Sequence, residues 1–494
     1  MGILSLSLQV LVIVSSLAAF LAIRDSRRRG GLPYPPGPRP LPFIGNVRDL
    51  PTEFLWLKLT ELSKKHGDII SLHVFGQVVV ALNSIKATKA LFESRGEIYS
   101  DRPTIPMHEL MEWQWVVSSA RYAEYWRQSR RLLDRSLRPA AAAVYRPMQQ
   151  AKTRVLLSDI LANPDDWEVH LEHMAGVLIL ALGYGYEVKG RNDPKVTVAQ
   201  KITKLGGETA LPTAVLVNVF PFLQHIPEWL PWLSYKPLAR YGRELGQQVM
   251  YEPMSFVRES ISNGTAQPSL ALENLQQTEK LSGLEREKAE NVIAGALGTM
   301  YSDTVSSIMS FFVAILLNPD IQRKAQKELD TLTRRERLPT FEDRPDLPFV
   351  DAICKEVLRW RPITPLALPH ATTQDNVYEG FFIPKGTMVL GNSWAILHDP
   401  VMYPEPDLFK PERFINPDGS SRDDPVLASA FGFGKRICPG RHFVDATLFI
   451  VVASLLSVFN IEKGLESFPF VGSGISRPKD KTAEELIAAD VLTR

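Results

Sequence analysis

The sequence has 494 residues, of which 45% are apolar and 22% are charged, and this ordinary globular composition excludes extensive disorder. The 56 lysines and arginines balance the 55 aspartates and glutamates, so the net charge of +1 excludes a broadly basic nucleic-acid-binding protein. The two cysteines, Cys354 and Cys438, are too few for a disulfide framework, and they do not form a CxxC zinc motif. The cysteine count still allows one cysteine to act as a thiolate with a chemical role.

Residues 1–23 are predicted to be a transmembrane anchor. No charged residue occurs between positions 3 and 23, and a helix of this length, at about 1.5 Å per residue, spans the hydrocarbon core of a bilayer. A cleaved signal peptide is the alternative, but it would have a basic region before the apolar run. Here four arginines follow the run, between positions 24 and 29, and the positive-inside rule then places the rest of the chain in the cytosol.

Residues 24–46 are predicted to be a basic and proline-rich linker. Proline fixes φ and lacks an N–H donor, so the stretch LPYPPGPRPLPFIGN should be stiff and extended rather than helical. The same composition would also suit a ligand of proline-recognising domains. We favour the linker because it lies directly between the anchor and the folded body.

The remaining residues, 47–494, are predicted to fold as one mainly helical domain, because neither a repeat nor a low-complexity break divides them. Residues 211–238 are apolar and broken by prolines, which fits either ordinary core or a loop that dips into the membrane. Residues 262–283 are polar and are predicted to form a surface connection. The other predicted elements are a β-hairpin at 70–83, helices at 118–137, 151–161, 284–317, 351–361 and 441–459, and a strand-like stretch at 377–390.

The strongest motif is FGFGKRICPG, which runs from position 431 to position 440. Cys438 lies in a glycine-rich loop directly before a helix, where the helix dipole and free N–H groups favour a thiolate. Gly434 and Gly440 allow positive φ and close approach of the backbone, Arg436 is available to an acidic group, and Phe431 can cover the site. Thiolate is the ligand with which haem iron cleaves O–O bonds. A haem-thiolate site is therefore favoured over a buried structural cysteine.

Phe431, Gly434, Arg436, Cys438 and Gly440 match FxxGxRxCxG, and the chain resembles the cytochrome P450 monooxygenases, in their membrane-anchored, fungal type, over most of its length. The resemblance implies a mainly α cytochrome P450 fold, with a large helical domain, a small β-rich portion and an N-terminal transmembrane helix. It implies that these loop residues bind haem and that Cys438 is the axial ligand of its iron. It also implies O2 and NADPH-derived electrons as co-substrates.

Glu356 and Arg359 match the ExxR motif of the family, and Arg413 lies in a later PERF motif. At i, i+3 spacing the first two share one helix face, which alone would suggest a surface ion pair worth about 0.2–0.5 kcal/mol. The resemblance instead implies a buried network of all three residues behind the haem. Because breaking a buried ion pair costs about 3–5 kcal/mol, these residues are expected to support haem retention rather than catalysis.

Trp126 and Arg130 match the family motif WxxxR, and His370 matches another position of the family. The i, i+4 spacing places the indole N–H and the guanidinium on one helix face. Without the resemblance, an ordinary amphipathic helix and a surface or satisfied core histidine would explain these residues. The resemblance implies that all three bind haem propionates, for which N–H donors are suited.

Asp303 and Thr304 lie inside the long predicted helix, and an aspartate among apolar residues there is typical of a wet cavity. The resemblance implies a catalytic acid–alcohol pair that delivers protons to dioxygen. The alternative is that Thr304 bonds its own i−4 carbonyl. The sequence departs from the family at Met300 and Tyr301, where small residues are usual, and Tyr301 is predicted to narrow the distal pocket. If the family motif is aligned instead with residues 294–299, the glycines there supply the small residues but the segment contains no acid.

The resemblance implies a haem-thiolate monooxygenase that hydroxylates or otherwise oxidises a hydrophobic small molecule, such as a terpenoid, a steroid, an aromatic or another secondary metabolite or xenobiotic. Electrons would come from NADPH through cytochrome P450 reductase, with a small b-type cytochrome as an additional candidate donor. Arg127, Arg131 and Lys435 are candidates for the reductase-docking surface. The predicted location is the endoplasmic reticulum membrane, with one span and a cytosolic catalytic domain. The rival functions are a haem-thiolate isomerase or dehydratase that needs no O2, and a non-catalytic haem-binding protein.

Overall fold

The computed structural model describes residues 16, 23–51, 53–190, 192–210, 216–226, 235–300, 304–463 and 474–478. Within that part of the chain, the first structural unit contains the residues up to Asp101 together with Pro369–Asn392, and the second contains Arg102–Leu368 and the residues from Ser393 onward. The predicted anchor lies outside the described residues, apart from positions 16 and 23.

The first unit is built around a four-stranded sheet. Its β-branched run at 69–82 folds into the predicted hairpin, with Gly76 at a φ of +84° in the turn. The strands of this unit are β1 Ile69–Val74, β2 Gln77–Leu82, β3 His370–Ala371, β4 Asn376–Tyr378, β5 Phe381–Ile383 and β6 Met388–Gly391. The order in the sheet is β1-β2-β6-β3, in which only the β2–β6 pairing is parallel, and β4 and β5 form a second hairpin.

Short helices complete the first unit. They are α1 Leu55–His66, α2 Ile85–Thr88 and α3 Gly96–Tyr99, with a 3-10 turn at Val47–Asp49 and a π-helical turn at Lys89–Glu93. Asn392, which follows β6, is fully buried, and its Nδ2 donates to Asn83 Oδ1 at 2.7 Å and to Thr60 Oγ1 at 3.1 Å. These bonds fasten α1 to the sheet, because Thr60 lies in α1 and Asn83 directly follows β2.

Helices dominate the described part of the second unit. They are α4 Pro106–Leu110, α5 Glu124–Leu137, α6 Pro139–Ala142, α7 Arg146–Ala162, α8 Trp167–Tyr184, α9 Pro194–Ala210, α10 Leu216–Val219, α11 Tyr235–Ser262, α12 Leu270–Thr278, α13 Gly283–Gly298, α14 Thr304–Leu317, α15 Pro319–Thr333, α16 Pro348–Trp360, α17 Ser393–Leu397 and α18 Arg441–Val458. Strands β7 Phe459–Lys463 and β8 Gly474–Pro478 pair in antiparallel fashion. The 3-10 turns are Ala143–Tyr145, Pro164–Asp166, Pro221–His225, Phe341–Asp346, Pro411–Phe414, Pro425–Phe431 and Gly434–Arg436.

The apolar run that follows Cys438 forms α18, around which α7, α14, α15 and α16 pack. By length and composition, α18 is the one helix of the described residues that could cross a membrane by itself. The pair Val305–Leu317 and Pro319–Thr333, bent by 107°, passes the same test only as a broken span. Because 72% of the apolar window of α18 is buried inside the protein, α18 is a core helix.

The mainly helical fold with a small β portion is confirmed, while three predicted elements are wrong in detail. The helix predicted at 284–317 is interrupted, because α13 ends at Gly298 and residues 299–300 form a turn. The helix predicted from residue 118 begins at Glu124, because residues 113–120 form consecutive turns. The predicted surface connection at 262–283 contains α12, which buries Leu270 and Leu275. Its apolar residues are too few to give a clear helical period, yet nearly all of them point inward.

Helix α13 presents two glycines to the turn segment, residues 113–120. A Cβ added at Gly295 would lie 2.1 Å from Tyr125 Oη and 3.1 Å from Trp115 O, and one at Gly298 would lie 3.0 Å from the Trp115 ring. Tyr125 Oη also donates to Trp115 O at 2.7 Å. The lack of side chains at these two positions therefore allows the turn segment to pack directly on the helix.

Gly295→Ala is expected to destabilise the protein by about 1–3 kcal/mol, because the new methyl group would overlap the Tyr125 hydroxyl. The matched control is Gly207→Ala in α9, where no atom lies within 4 Å of the added Cβ and the higher helix propensity of alanine makes the change neutral or stabilising. Urea-unfolding midpoints measure both effects. Equal midpoints for the two variants would contradict the packing described here.

Candidate functional site

Cys438 lies at the end of a loop that closes on itself. A 3-10 turn ends at Phe431, and the N–H of Cys438 donates back to Phe431 O at 2.9 Å. Gly432 and Gly434 have φ angles of +88° and +53°, in the left-handed region that favours glycine. Helix α18 then begins at Arg441. The loop therefore holds the sulfur against the first turn of a core helix.

Gly440 differs from its sequence-based prediction. Its φ is −80°, which any residue adopts, so the expected positive φ at this position is wrong. An added Cβ would lie 3.8 Å from Cys438 Sγ, which is an ordinary contact, and would meet no other described atom within 4 Å. The glycine thus leaves open space beside the sulfur.

Burial raises the pKa of the Cys438 thiol. The main-chain N–H groups of Gly440 and Arg441 donate to the sulfur, and the Arg130 and Arg441 guanidiniums favour the thiolate, but these effects are smaller than the cost of burial. The two N–H groups lower the pKa of the thiol, as expected for a helix N-terminus, and burial raises it by more. Cys354, fully buried in α16, also has its pKa raised by burial.

Helix α5 presents Trp126 and Arg130 toward the cysteine loop. Arg130 Nη1 donates to Ile437 O, and Arg130 Nε donates to Asp134 Oδ2 at 2.8 Å. Only 14% of the Arg130 side chain is exposed. The guanidinium therefore fixes the main chain next to Cys438, a contact between elements far apart in sequence that motif reasoning did not include.

Arg436 is buried beneath the loop. Its Nη2 donates to Ala120 O at 2.8 Å, its Nη1 lies 3.4 Å from Val117 O, and its Cζ lies 4.2 Å from the centre of the Trp126 ring. Trp126 is itself only 5% exposed. The structure thus brings Trp126, Arg130 and Arg436 together around Cys438.

The residues around Cys438 fit a haem group by the chemistry of their donors. A cysteine thiolate is the soft ligand that haem iron would accept here, and Gly440 leaves space beside the sulfur. Arg130, Arg436 and Trp126 supply N–H donors of the kind that bind propionate carboxylates. Among the described residues, no group of three or more His, Cys, Asp or Glu side chains could hold a metal ion.

Glu356 and Arg359 form a buried, bidentate ion pair within α16, and both side chains are fully buried. Arg359 Nε donates to Glu356 Oε2 at 2.7 Å and Nη2 donates to Oε1 at 2.9 Å. The remaining donors of Arg359 reach Leu397 O at 2.9 Å and Pro406 O at 2.8 Å. The pair therefore connects α16 to α17 and to the segment that follows it.

Arg413 joins this network more loosely than the pair itself. Its Nε lies 3.4 Å from Glu356 Oε1, close enough for an ion pair but without hydrogen-bond geometry. Its other donors bind the carbonyls of Pro404 and Glu405. The N–H of Lys410 donates to Glu356 Oε1 at 2.8 Å, a partner that the motif did not indicate because it belongs to the main chain.

The distal candidates are described only in part. Tyr301 and Asp303 lie outside the described residues, and Thr304 is the first residue of α14, with its side chain outside the description. Met300 follows the end of α13 and packs, partly buried, against the surrounding apolar cluster. The proton-delivery assignment to Asp303 and Thr304 therefore stays a prediction.

His370 belongs to the first unit, in β3. It is 2% exposed, its Nδ1 is 2.7 Å from Tyr99 O, and its ring centre is 4.0 Å from that of Phe92. The hydrogen bond at Nδ1 fixes the ring orientation. Its assignment to a propionate stays a prediction.

Sequence reasoning missed the turn segment, residues 113–120, as part of this site. Thr299 at the end of α13 bonds to Val117, and Arg436 bonds to the same segment. The sequence offered one signal for this contact. Gly295 and Gly298 are spaced to share one helix face, and their lack of side chains indicates that a large neighbour packs there.

A family model described as "Cytochrome P450" matches residues 35–481 of the chain. Cytochrome P450 monooxygenase COX1 of Coprinopsis cinerea is 35% identical, and the alignment covers 97% of this chain and 92% of the relative. Cytochrome P450 monooxygenase claR of Ampulloclitocybe clavipes is 39% identical, with 93% and 89% covered. Tryptamine 4-monooxygenase of Psilocybe cyanescens is 35% identical, with 92% of each chain covered.

The chain belongs to the cytochrome P450 family. As a member of this family it is an oxidoreductase that acts as a monooxygenase, with a haem-thiolate cofactor, O2 and electrons from a redox partner. The fungal origin of the relatives agrees with the fungal type predicted from the sequence.

Glu356→Ala in this cytochrome P450 is expected to cost about 3–5 kcal/mol of stability, because it leaves the fully buried Arg359 without its counter-charge. Glu61→Ala is the matched control, since Glu61 forms an i, i+3 ion pair with Lys58 at 2.9 Å on an exposed helix surface. That pair is worth about 0–1 kcal/mol. Haem content after purification and the thermal midpoint measure the difference. Similar losses in both variants would refute a structural role for the buried pair.

Proposed function

We propose that this cytochrome P450 inserts one oxygen atom of O2 into a hydrophobic small molecule, with Cys438 as the axial ligand of the haem iron. The second oxygen atom leaves as water, formed with two electrons and two protons. The observation that carries the proposal is the Cys438 thiol, which faces two main-chain N–H donors and space beside Gly440. When bound, haem iron would act as a Lewis acid that keeps this sulfur a thiolate, and the thiolate would donate the electron density that favours cleavage of the O–O bond.

We assign the support of the haem to residues already placed around the loop. Trp126, Arg130 and Arg436, together with His370, are proposed to donate to the propionates, and their N–H groups suit that task. Phe431, Gly434 and Gly440 shape the loop around the ligated sulfur. Glu356, Arg359 and Arg413 are proposed to be structural, a role that the complete burial of Glu356 and Arg359 supports.

Asp303 and Thr304 are proposed to deliver protons during turnover. A carboxylic acid and a hydroxyl in sequence provide a donor and a relay for the two protons that the water product requires. Tyr301, where the family usually has a small residue, is proposed to restrict substrate size. Asp303→Asn is therefore expected to lower turnover while leaving haem binding unchanged.

The proposed substrates are hydrophobic small molecules: terpenoids, steroids, aromatics or other secondary metabolites or xenobiotics. One relative is named a tryptamine 4-monooxygenase, and an aromatic substrate for that protein supports including aromatics here. The fold alone leaves the regiochemistry open, because pocket shape depends on side chains that are distant in sequence.

We propose that residues 1–23 anchor the protein in the endoplasmic reticulum membrane, with residues 24–46 as linker and 47–494 as a cytosolic haem domain. Electrons are proposed to come from NADPH–cytochrome P450 reductase, with a small b-type cytochrome as a further donor. An apolar run without charges, followed by arginines, supports the anchor and its orientation.

A basic surface on α5 and the cysteine loop supports reductase docking. The side chains of Arg127 and Arg131 are 47% and 72% exposed, and both pair with Glu124, at 3.7 Å and 3.1 Å. Lys435 Nζ lies 3.0 Å from Tyr122 Oη. The Glu124 carboxylate thus pairs with two arginines, and the excess positive charge would attract an acidic partner.

Cys438→Ser is expected to abolish the strongly red-shifted Soret band in the reduced, carbon-monoxide difference spectrum of the membrane-bound protein, because serine supplies no thiolate. Cys354→Ala is the control, since Cys354 lies in α16 and is fully buried among other residues. It should retain the band. A red-shifted band in Cys438→Ser, or its absence from the wild type, would refute the assignment of Cys438.

Arg131→Glu is expected to slow reduction by the reductase about tenfold at low ionic strength and less at high ionic strength, because the docking charge is reversed. Lys204→Glu on α9 makes the same charge change on an exposed residue of another helix. It should have little effect. Stopped-flow measurement of the reduction rates at two salt concentrations distinguishes the two variants. Equal slowing in both variants would contradict a docking role for α5.

A further inference from the structure

The turn segment, residues 113–120, is bonded on one side to α13 and on the other to the cysteine loop. Both sets of bonds involve main-chain groups of the segment, so they do not depend on which side chains it carries. Val117 takes part in both, through its N–H and its C=O. Val117 therefore links α13 to the cysteine loop.

Thr299 makes the connection to α13. At the end of this helix, its Oγ1 donates to Gly295 O at 2.8 Å and accepts the N–H of Val117 at 3.0 Å. A hydroxyl group can donate once and accept at the same time, so one side chain serves both partners. A threonine bonded only to its i−4 carbonyl would serve its own helix, whereas the bond from Val117 links a separate segment.

Arg436 makes the connection to the cysteine loop. It lies 3.4 Å from Val117 O through Nη1 and 2.8 Å from Ala120 O through Nη2. Arg436 lies two positions before Cys438 in the sequence. The Arg436 guanidinium is stacked on Trp126, with Cζ 4.2 Å from the ring centre. A shift of the turn segment therefore changes the partners of a buried cation that belongs to the same loop as Cys438.

We propose that Thr299 is a positioning residue that couples the end of α13 to the Cys438 loop through Val117 and Arg436. The inference rests on the proposed function of Cys438 and goes beyond it, because it assigns a role to a residue outside the family motifs. Displacement of α13 is transmitted to the loop, and loss of the Thr299 hydroxyl weakens thiolate ligation. The contiguous bonds from Thr299 through Val117 to Arg436 support this coupling, and its strength can be measured directly.

The turn segment keeps other bonds when the Thr299 bond is lost, so Thr299→Val is expected to fold. Arg102 donates to Ser118 O at 2.8 Å and to Leu368 O at 2.7 Å. Trp113 Nε1 donates to Gly242 O at 2.8 Å. These bonds are independent of Thr299.

The experiment compares Thr299→Val and Thr299→Ser in the haem-loaded, full-length protein. Valine keeps the shape of threonine and removes the hydroxyl, whereas serine keeps the hydroxyl. Thr153→Val is the matched control, because Thr153 Oγ1 donates to its i−4 carbonyl at 2.8 Å inside α7, away from the turn segment. The two readouts are hydrogen exchange of peptides spanning residues 114–121, and the rate at which the red-shifted carbon-monoxide band is lost.

Thr299→Val is expected to raise both the exchange rate and the rate of band loss by about 3- to 10-fold, the effect of one lost hydrogen bond. Thr299→Ser and Thr153→Val should match the wild type. Faster exchange with an unchanged band would show that the link ends at Val117 and would overturn the coupling. Unchanged exchange would overturn the Thr299–Val117 bond itself. A wild type without the red-shifted band would instead refute the proposed function, on which the coupling depends.

Discussion

A cysteine that serves as an iron ligand has to be kept from water and also kept from moving. Main-chain bonds meet the second requirement at Cys438: its own N–H reaches Phe431 O at 2.9 Å, and the N–H groups of Gly440 and Arg441 face its sulfur. Burial raises the pKa of the free thiol, so the loop alone does not hold a thiolate. The N–H groups of Gly440 and Arg441 would stabilise the negative charge of the sulfur when it is bound to iron.

The same requirement explains the buried charges elsewhere in the second unit. A carboxylate and a guanidinium without solvent are costly unless every donor and acceptor is used, and Glu356 and Arg359 satisfy each other and the main chain around them. Removing Glu356 would leave the Arg359 charge unpaired in the interior. The pair therefore fixes how α16 and the following segment pack, which in turn limits the freedom of the core helices around α18.

Motifs of neighbouring residues could be predicted, because chemistry and spacing are visible along the chain. The run that contains Cys438 and the pair Glu356 and Arg359 are of this kind, and the hairpin and the core helix were predicted for similar reasons. Contacts between distant residues could not be predicted. The bond between Thr299 and Val117, the carbonyl partners of Arg436 and the direction of the pKa shift of Cys438 all depend on tertiary packing and burial.

The most direct test of the account is iron K-edge X-ray absorption of the purified ferric protein, beside Cys438→Ser and Cys354→Ala. We predict a shell with one sulfur ligand next to the nitrogens of the porphyrin, present in the wild type and in Cys354→Ala and lost in Cys438→Ser. A shell of nitrogen or oxygen alone in the wild type would contradict thiolate ligation. A sulfur ligand that persists in Cys438→Ser would contradict the assignment of the ligand to this loop.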